Sequence, residues 1–250
     1  MIFICVMVFI AGFVDSVAGG GGLISLPAYM LAGLPAHQAY GTNKFSSALG
    51  TTLSVFRFFV NGALNLKVSL LSALGAFFGS WLGSRVVLLL DDHFLKMMMV
   101  FMLPIVILVV IFKKDCGERN EFAQIEKKKV IFLALFIGLI IGLYDGLFGP
   151  GTGTFAIIAY TAIMKFDLKT ASGNAKILNL ASNYASVITF ALSGSIVYKV
   201  ALPAAVCGII GNYLGSGLAI KKGAKFIRPM MVIVVMLLLS KIIIDLLRIY

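Results

Sequence analysis

Two lysines stand in polar stripes within otherwise apolar sequence. Lys44, Ser47 and Thr51 follow an i, i+3, i+7 spacing, and Lys176, Asn179 and Asn183 repeat it. On a helix each trio occupies one face, so each stripe presents an ammonium group beside hydroxyls or amides. Asn43 and Asn174 add an amide near the start of each stripe. An ammonium offsets negative charge, and amides and hydroxyls supply oriented donors, which suits a small anion. The bland alternative is a lysine snorkelling to an interface, beside polar residues that glue helices together. The matching of the two stripes favours a site.

Two glycine-rich motifs carry the second chemical signal. AGFVDSVAGGGGLISLP covers residues 11–27 and GLYDGLFGPGTGTF covers 142–155. Each interior helical glycine costs about 1 kcal/mol relative to alanine, and Pro150 breaks the second motif in addition. A short apolar stretch follows each motif, 23–33 and 154–164. The pattern predicts a discontinuous helix that enters, breaks and restarts. At the restart, backbone N–H groups and the positive end of the helix dipole favour an anion. Gly20, Gly21, Gly22, Gly151, Thr152 and Gly153 are therefore candidate binding residues. Asp15 and Asp145 precede the breaks; carboxylates at such depth are expensive and usually functional, which makes them candidates for coupling to protons or another ion. Capping or packing is the plainer role for both.

The elements that must position these groups follow from composition. The chain has 250 residues, 60% hydrophobic and only 12% charged, whereas a soluble domain carries about 25% charged residues. Apolar runs at 45–61, 68–90, 94–112, 130–148, 177–193, 200–220 and 229–247 approach the roughly 20 residues needed to cross a bilayer as a helix. They are too long and uniform for barrel strands. The expected fold is an all-α polytopic membrane protein. The net charge of +11 lies mainly at the ends of apolar runs, where it orients helices and meets anionic headgroups; nucleic acid is not expected as a partner. Cys5, Cys116 and Cys207 form no CxxC pair, so no metal or redox site is expected. The glycine motifs lack the Gly-Lys-Ser/Thr ending of a nucleotide loop. No cofactor and no enzymatic triad is expected. The apolar opening lacks a small-residue cleavage site and reads as part of the fold rather than a removable signal.

The chain also reads as one unit written twice. Asp15 and Asp145 stand 130 residues apart, Gly20 and Gly22 stand 131 from Gly151 and Gly153, and Lys44 stands 132 from Lys176. The last spacing also relates Phe58 to Phe190, Gly62 to Gly194, Lys67 to Lys199, Gly79 to Gly211, Gly83 to Gly215 and Phe94 to Phe226. Residues 1–112 form the first membrane repeat, 113–129 a polar connector and 130–250 the second repeat. Each repeat is a Gly-broken segment followed by three helices, about 39–61, 68–90 and 94–112, then 170–193, 200–220 and 226–247. This amounts to about seven to eight spans. If the broken segment crosses once, Lys and Arg divide evenly between the two sides. If it re-enters and returns, they concentrate on the connector's side, which becomes cytoplasmic, and the halves become inverted. The returning arrangement is preferred. Gly75, Gly79 and Gly83 suit close helix packing. Arg57 is a candidate partner for Asp15 or a snorkelling residue, Trp81 an interface anchor, His37 and His93 loop or interface residues, and Met97–Met99 lipid-facing or packing material.

The sequence resembles the sulfite exporter TauE/SafE family of bacterial membrane proteins, over nearly its whole length. The resemblance rests on DSVAGGGGLISLPAYMLAGLPAHQAYGTNK, GLYDGLFGPGTGTF, ASGNAKILNLASN and KKGAKFIRP. It implies a permease of the bacterial inner membrane, built from a duplicated helical unit. Its implied substrates are small sulfur-containing or carboxylate anions such as sulfite or organosulfonates. The expectation is a secondary transporter working by alternating access between its halves, in contact with lipid, with oligomerisation left open. An anion channel and a non-transporting assembly subunit are the rival readings.

Overall fold

The structure is a computed structural model that describes residues 1–91, 94–95, 120–234 and 236. The expected helix at 94–112 beyond residue 95, residues 113–119 of the connector with Cys116, His93, Met97–Met99 and the end of the last helix lie outside the described residues. Among those described, the ordered elements are helical: α1 (Ile2–Ala18), α2 (Gly22–Leu31), α3 (Ala36–Val60), α4 (Leu66–Leu89), α5 (Lys127–Leu147), α6 (Thr152–Ala162), α7 (Leu168–Leu192) and α8 (Tyr198–Lys222). A short 3-10 turn, Phe122–Gln124, leads into α5, and helix resumes over 224–234. Three of the described helices are long and apolar enough to cross a membrane: α4, α5 from Lys128, and α8. Helices α3 and α7 equal α8 in length, but their polar stripes lower their hydropathy.

The molecule is apolar outside and polar within. Phe56, Phe59, Leu74, Phe78, Phe132 and Phe136 are exposed, while Ser54, Ser80, Asn174, Lys176, Ser186 and Asn212 are buried. A soluble protein distributes these residue types the other way. In lipid the arrangement is the stable one, because polar groups must find partners inside the protein. Together with the three apolar helices, it marks a membrane protein.

Both broken segments turn back on themselves. Gly21, just past the first break, lies against α1, where an added Cβ would stand 2.5 Å from the Ala11 carbonyl oxygen and 2.6 Å from Asp15 Cβ. Further along, Leu26 and Tyr29 of α2 share a cluster with Ile4 and Val8 of α1. A continuous helix would carry residue 21 about 15 Å beyond residue 11. In the second segment, the chain leaving α6 returns to the approach of α5. The Glu121 N–H donates to the Lys165 carbonyl at 2.9 Å, and Phe122 stacks on Phe166 at 4.4 Å.

The contacts between the halves come in matched pairs. Gly79 of α4 lies against Leu139 and Leu143 of α5, while Gly211 of α8 lies against Phe9 and Phe13 of α1. Gly75 and Gly83 continue the first seam, where Gly138, Gly142 and Gly146 answer from α5. Cβ atoms there would meet backbone at distances that force the helices apart, so glycine permits the close approach. At the ends of α3 and α7, Gly41 faces Ser195 and Gly173 faces Ala63. Deeper in, Ser54 donates to the Asn212 side chain at 3.0 Å, and Ser186 shares a hydrogen bond of 2.8 Å with Ser80. In each pair of contacts the two halves exchange roles.

Candidate functional site

Helices α3 and α7 cross with the end of each against the start of the other, which brings their polar stripes together. The Val197 N–H donates to Thr42 Oγ1 at 3.1 Å, and the Asn65 N–H donates to Asn174 Oδ1 at 2.7 Å. Ser69 donates to the same Asn174 oxygen at 2.8 Å. Asn174 thus ties the α3–α4 connection rather than facing a cavity.

The two glycine breaks meet where these stripes cross. Gly153 N–H donates to the Gly19 carbonyl at 3.1 Å, and Thr154 donates to the Ala18 carbonyl at 2.7 Å. Gly19, Gly149 and Gly151 have φ near +80°, a region that an L side chain rarely enters. A Cβ on Gly19 would collide with Gly153, and a Cβ on Gly153 would stand 2.9 Å from Asn179 Nδ2. The second break, Phe148–Gly151, is one residue longer than Gly19–Gly21. That extra residue accounts for the step from a 130- to a 131-residue spacing in the sequence.

Four charged groups close the crossing. Lys44 Nζ lies 2.6 Å from Asp145 Oδ2, and Lys176 Nζ lies 2.9 Å from Asp15 Oδ2. Each lysine therefore neutralises the carboxylate of the opposite half. Arg57, expected as a partner of Asp15, instead donates to the Tyr213 carbonyl and stacks over that residue's ring at 4.1 Å. Lys176 also donates to the Asp15 carbonyl oxygen, at the negative end of the α1 dipole. The side chains of Lys44, Asp145 and Lys176 are 3%, 6% and 0% exposed, while that of Asp15 is 21% exposed. Asp145 is held further: Thr152 donates to its Oδ1 at 2.8 Å and Ser182 to its Oδ2.

A cavity lies against this crossing. It is walled by Gly22 and Gly153 from the two breaks and by Asn43, Lys44, Ser47, Asn179 and Asn183 from the stripes, with Asp15, Asp145 and Thr152 beside them. Asn43 Oδ1 and Asn179 Oδ1 are buried without a hydrogen-bond partner, a state that costs about 1–3 kcal/mol per group. An amide rotates by half a turn with almost no change of shape, so each can aim N–H₂ or oxygen at a ligand. Gly22 opens α2, and N–H groups of a first turn have no intrahelical acceptor. The remaining sequence candidates lie elsewhere: Gly20 abuts Val234, Gly21 and Thr51 line a neighbouring chamber, and Lys176 is sealed beneath Asp15. Ser182 was not legible as a site residue, since a serine on an apolar helix is ordinarily interhelical glue and the 132-residue spacing matches it to Gly50.

The family model for the sulfite exporter TauE/SafE matches residues 4–242. The chain belongs to the TauE/SafE family. This family member is 34% identical to a probable membrane transporter protein, ORF9, of a Sinorhizobium species, over 97% of this chain and 92% of the relative. It is 35% identical to a probable membrane transporter protein of Haemophilus influenzae, over 95% and 92% of the two chains. To the probable membrane transporter protein YfcA of Escherichia coli it is 31% identical, over 94% and 87%. No solved structure matches this TauE/SafE protein. As in those relatives by name, the protein is a membrane transporter.

Proposed function

We propose that this protein is a secondary transporter of small anions, multi-pass in the bacterial inner membrane, with sulfite or a related sulfur or carboxylate anion as substrate. The observation that carries the reading is the cavity where both glycine breaks and both polar stripes converge. The Gly22 N–H, the amides of Asn43, Asn179 and Asn183 and the Ser47 hydroxyl would supply donors to the anion, and the Lys44 ammonium would supply charge. The paired contacts with exchanged roles support two inverted repeats, each a re-entrant broken hairpin with its helices, rocking about a central site.

The test is thermal stability of the detergent-purified protein against sulfite, thiosulfate, sulfoacetate, taurine, sulfate and acetate, in buffer free of alkali cations. A ligand that binds the folded state must raise its stability by mass action. A selective shift, lost in Asn179→Ala or Asn183→Ala, supports the site. No shift with any anion in well-folded protein sinks it. Alanine at Lys44 or Lys176 is the wrong probe, because it strands a buried carboxylate. In vesicles, uphill accumulation separates a transporter from a channel.

A further inference from the structure

Beyond the anion cavity, on the other side of Asp15, lies a second chamber. Asp15, Gly22 and Ser47 line both, and so form the partition between them. Asp15 is the only charged residue among those lining the second chamber, which is otherwise polar through Ser25, Ser46, Ser47, Thr51 and Asn212.

The hydrogens of this chamber are largely committed elsewhere. Ser25 donates to the Gly21 carbonyl at 3.1 Å, and Ser46 donates to the Asn43 carbonyl at 3.0 Å. The Asn212 amide N–H₂ donates to the Gly208 carbonyl at 3.0 Å. Hydroxyls whose protons are spent in this way offer lone pairs to whatever enters. Thr51, only 1% exposed, has a hydroxyl with no partner at all. The Asp15 carboxylate completes the set, its Oδ2 engaged by Lys176. Oxygen acceptors around one carboxylate suit a hard cation and repel an anion.

The matching carboxylate of the other half has different hydrogen-bond partners. Asp145 accepts hydrogen bonds from Thr152 and Ser182, whereas the 131- and 132-residue spacings put Gly21 and Gly50 at the matching positions, and Gly21 packs against Asp15 Cβ. Loss of both hydroxyls leaves Asp15 with an open side facing the chamber.

We propose that this chamber binds a sodium ion through Asp15, Thr51 and the neighbouring serine oxygens. Its role as coupling ion rests on the anion-transport reading. The four charges at the crossing sum to zero, so an anion entering alone would bring uncompensated charge into a low-dielectric site. A sodium ion across the partition supplies the balance, and each ion then raises the other's affinity.

The test begins without any anion substrate. Thermal stability of the purified protein is titrated with sodium chloride against choline chloride and potassium chloride at constant ionic strength. A saturable shift specific to sodium, absent in Thr51→Val and restored in Thr51→Ser, is the expected result. Equal behaviour of the three salts, or a sodium shift unchanged in Thr51→Val, overturns the assignment. A second titration measures anion affinity with and without sodium; about a tenfold gain or more is expected, within the usual range of coupling between sites. An anion shift without any sodium shift rejects the cation site alone. A sodium shift without any anion shift rejects the anion reading alone. Uptake driven by a proton gradient in sodium-free vesicles, at the same rate as with sodium, also overturns sodium as the coupling ion.

Discussion

The two crossed ion pairs have the same composition and opposite surroundings. Lys44–Asp145 lies beside the anion cavity, but its carboxylate is tied down by hydrogen bonds from Thr152 and Ser182. Lys176–Asp15 hides its lysine completely and leaves its carboxylate as the wall between two cavities. The difference lies in small residues: two hydroxyls donate to Asp145, while Gly21 packs beside Asp15. One pair thus works as a clamp, its carboxylate held by two hydroxyls, while the carboxylate of the other divides two cavities.

Breaking the clamp should have the largest effect. Lys44→Ala leaves Asp145 charged, buried and without its cation, which costs about 3–5 kcal/mol. Lys176→Ala should cost less, because Asp15 keeps its opening to the chamber. Unfolding of the two variants in the same detergent compares them, and a larger loss for Lys176→Ala would invert the assignment of clamp and gate. Lys44→Ala/Asp145→Ala should recover much of the single variant's loss, since it removes the stranded charge together with its partner.

Removing the hydroxyls probes the clamp itself. Ser182→Ala deletes a hydrogen bond to a charged group and should cost about 1.5–3 kcal/mol. An unchanged melting temperature would mean that the hydroxyl does not hold Asp145.

The breaks offer a comparison of fold against site. Gly19→Ala places a Cβ into Gly153 at a positive φ and should destabilise by about 1–3 kcal/mol or more. Gly22→Ala meets Pro150 Cα at an ordinary 3.4 Å, so this variant should fold normally while its methyl group narrows the cavity and weakens anion-dependent stabilisation. Normal ligand response in Gly22→Ala would remove Gly22 from the site.

The smallest effect belongs to the two ends of the α3–α7 crossing. Thr42→Val and Asn174→Ala each release one backbone N–H, at about 1 kcal/mol apiece, and neither should alter the response to anions. A lost anion response in Asn174→Ala would return that residue to the binding site.

Much of this architecture was legible from local features. The glycine runs announced the breaks, because backbone preference acts residue by residue. Helices α3, α4, α7 and α8 begin and end within about four residues of the sequence expectation, ordinary for boundaries read from periodicity. The stripe spacing placed Lys44 with Ser47, and Asn179 with Asn183, on shared faces, and all four line the cavity. Thr51 and Asn174 share those stripes but lie elsewhere. A helix rotates its face along its length, and the crossing angle decides which turn meets which neighbour. Arg57 turns to Tyr213 rather than to Asp15 for a related reason, since several cations lie within plausible reach of the carboxylate and only packing chooses among them.

The sequence alone determined that the chain is an all-helical membrane protein with two broken segments and two polar stripes, because hydropathy, glycine content and helical period are local properties. Tertiary structure decided which lysine meets which carboxylate, that the breaks touch, and that Thr152 and Ser182 hold Asp145 while Asp15 divides two cavities. Those outcomes depend on contacts closed between residues more than a hundred positions apart, through glycine seams whose depth sets the distances within the crossing.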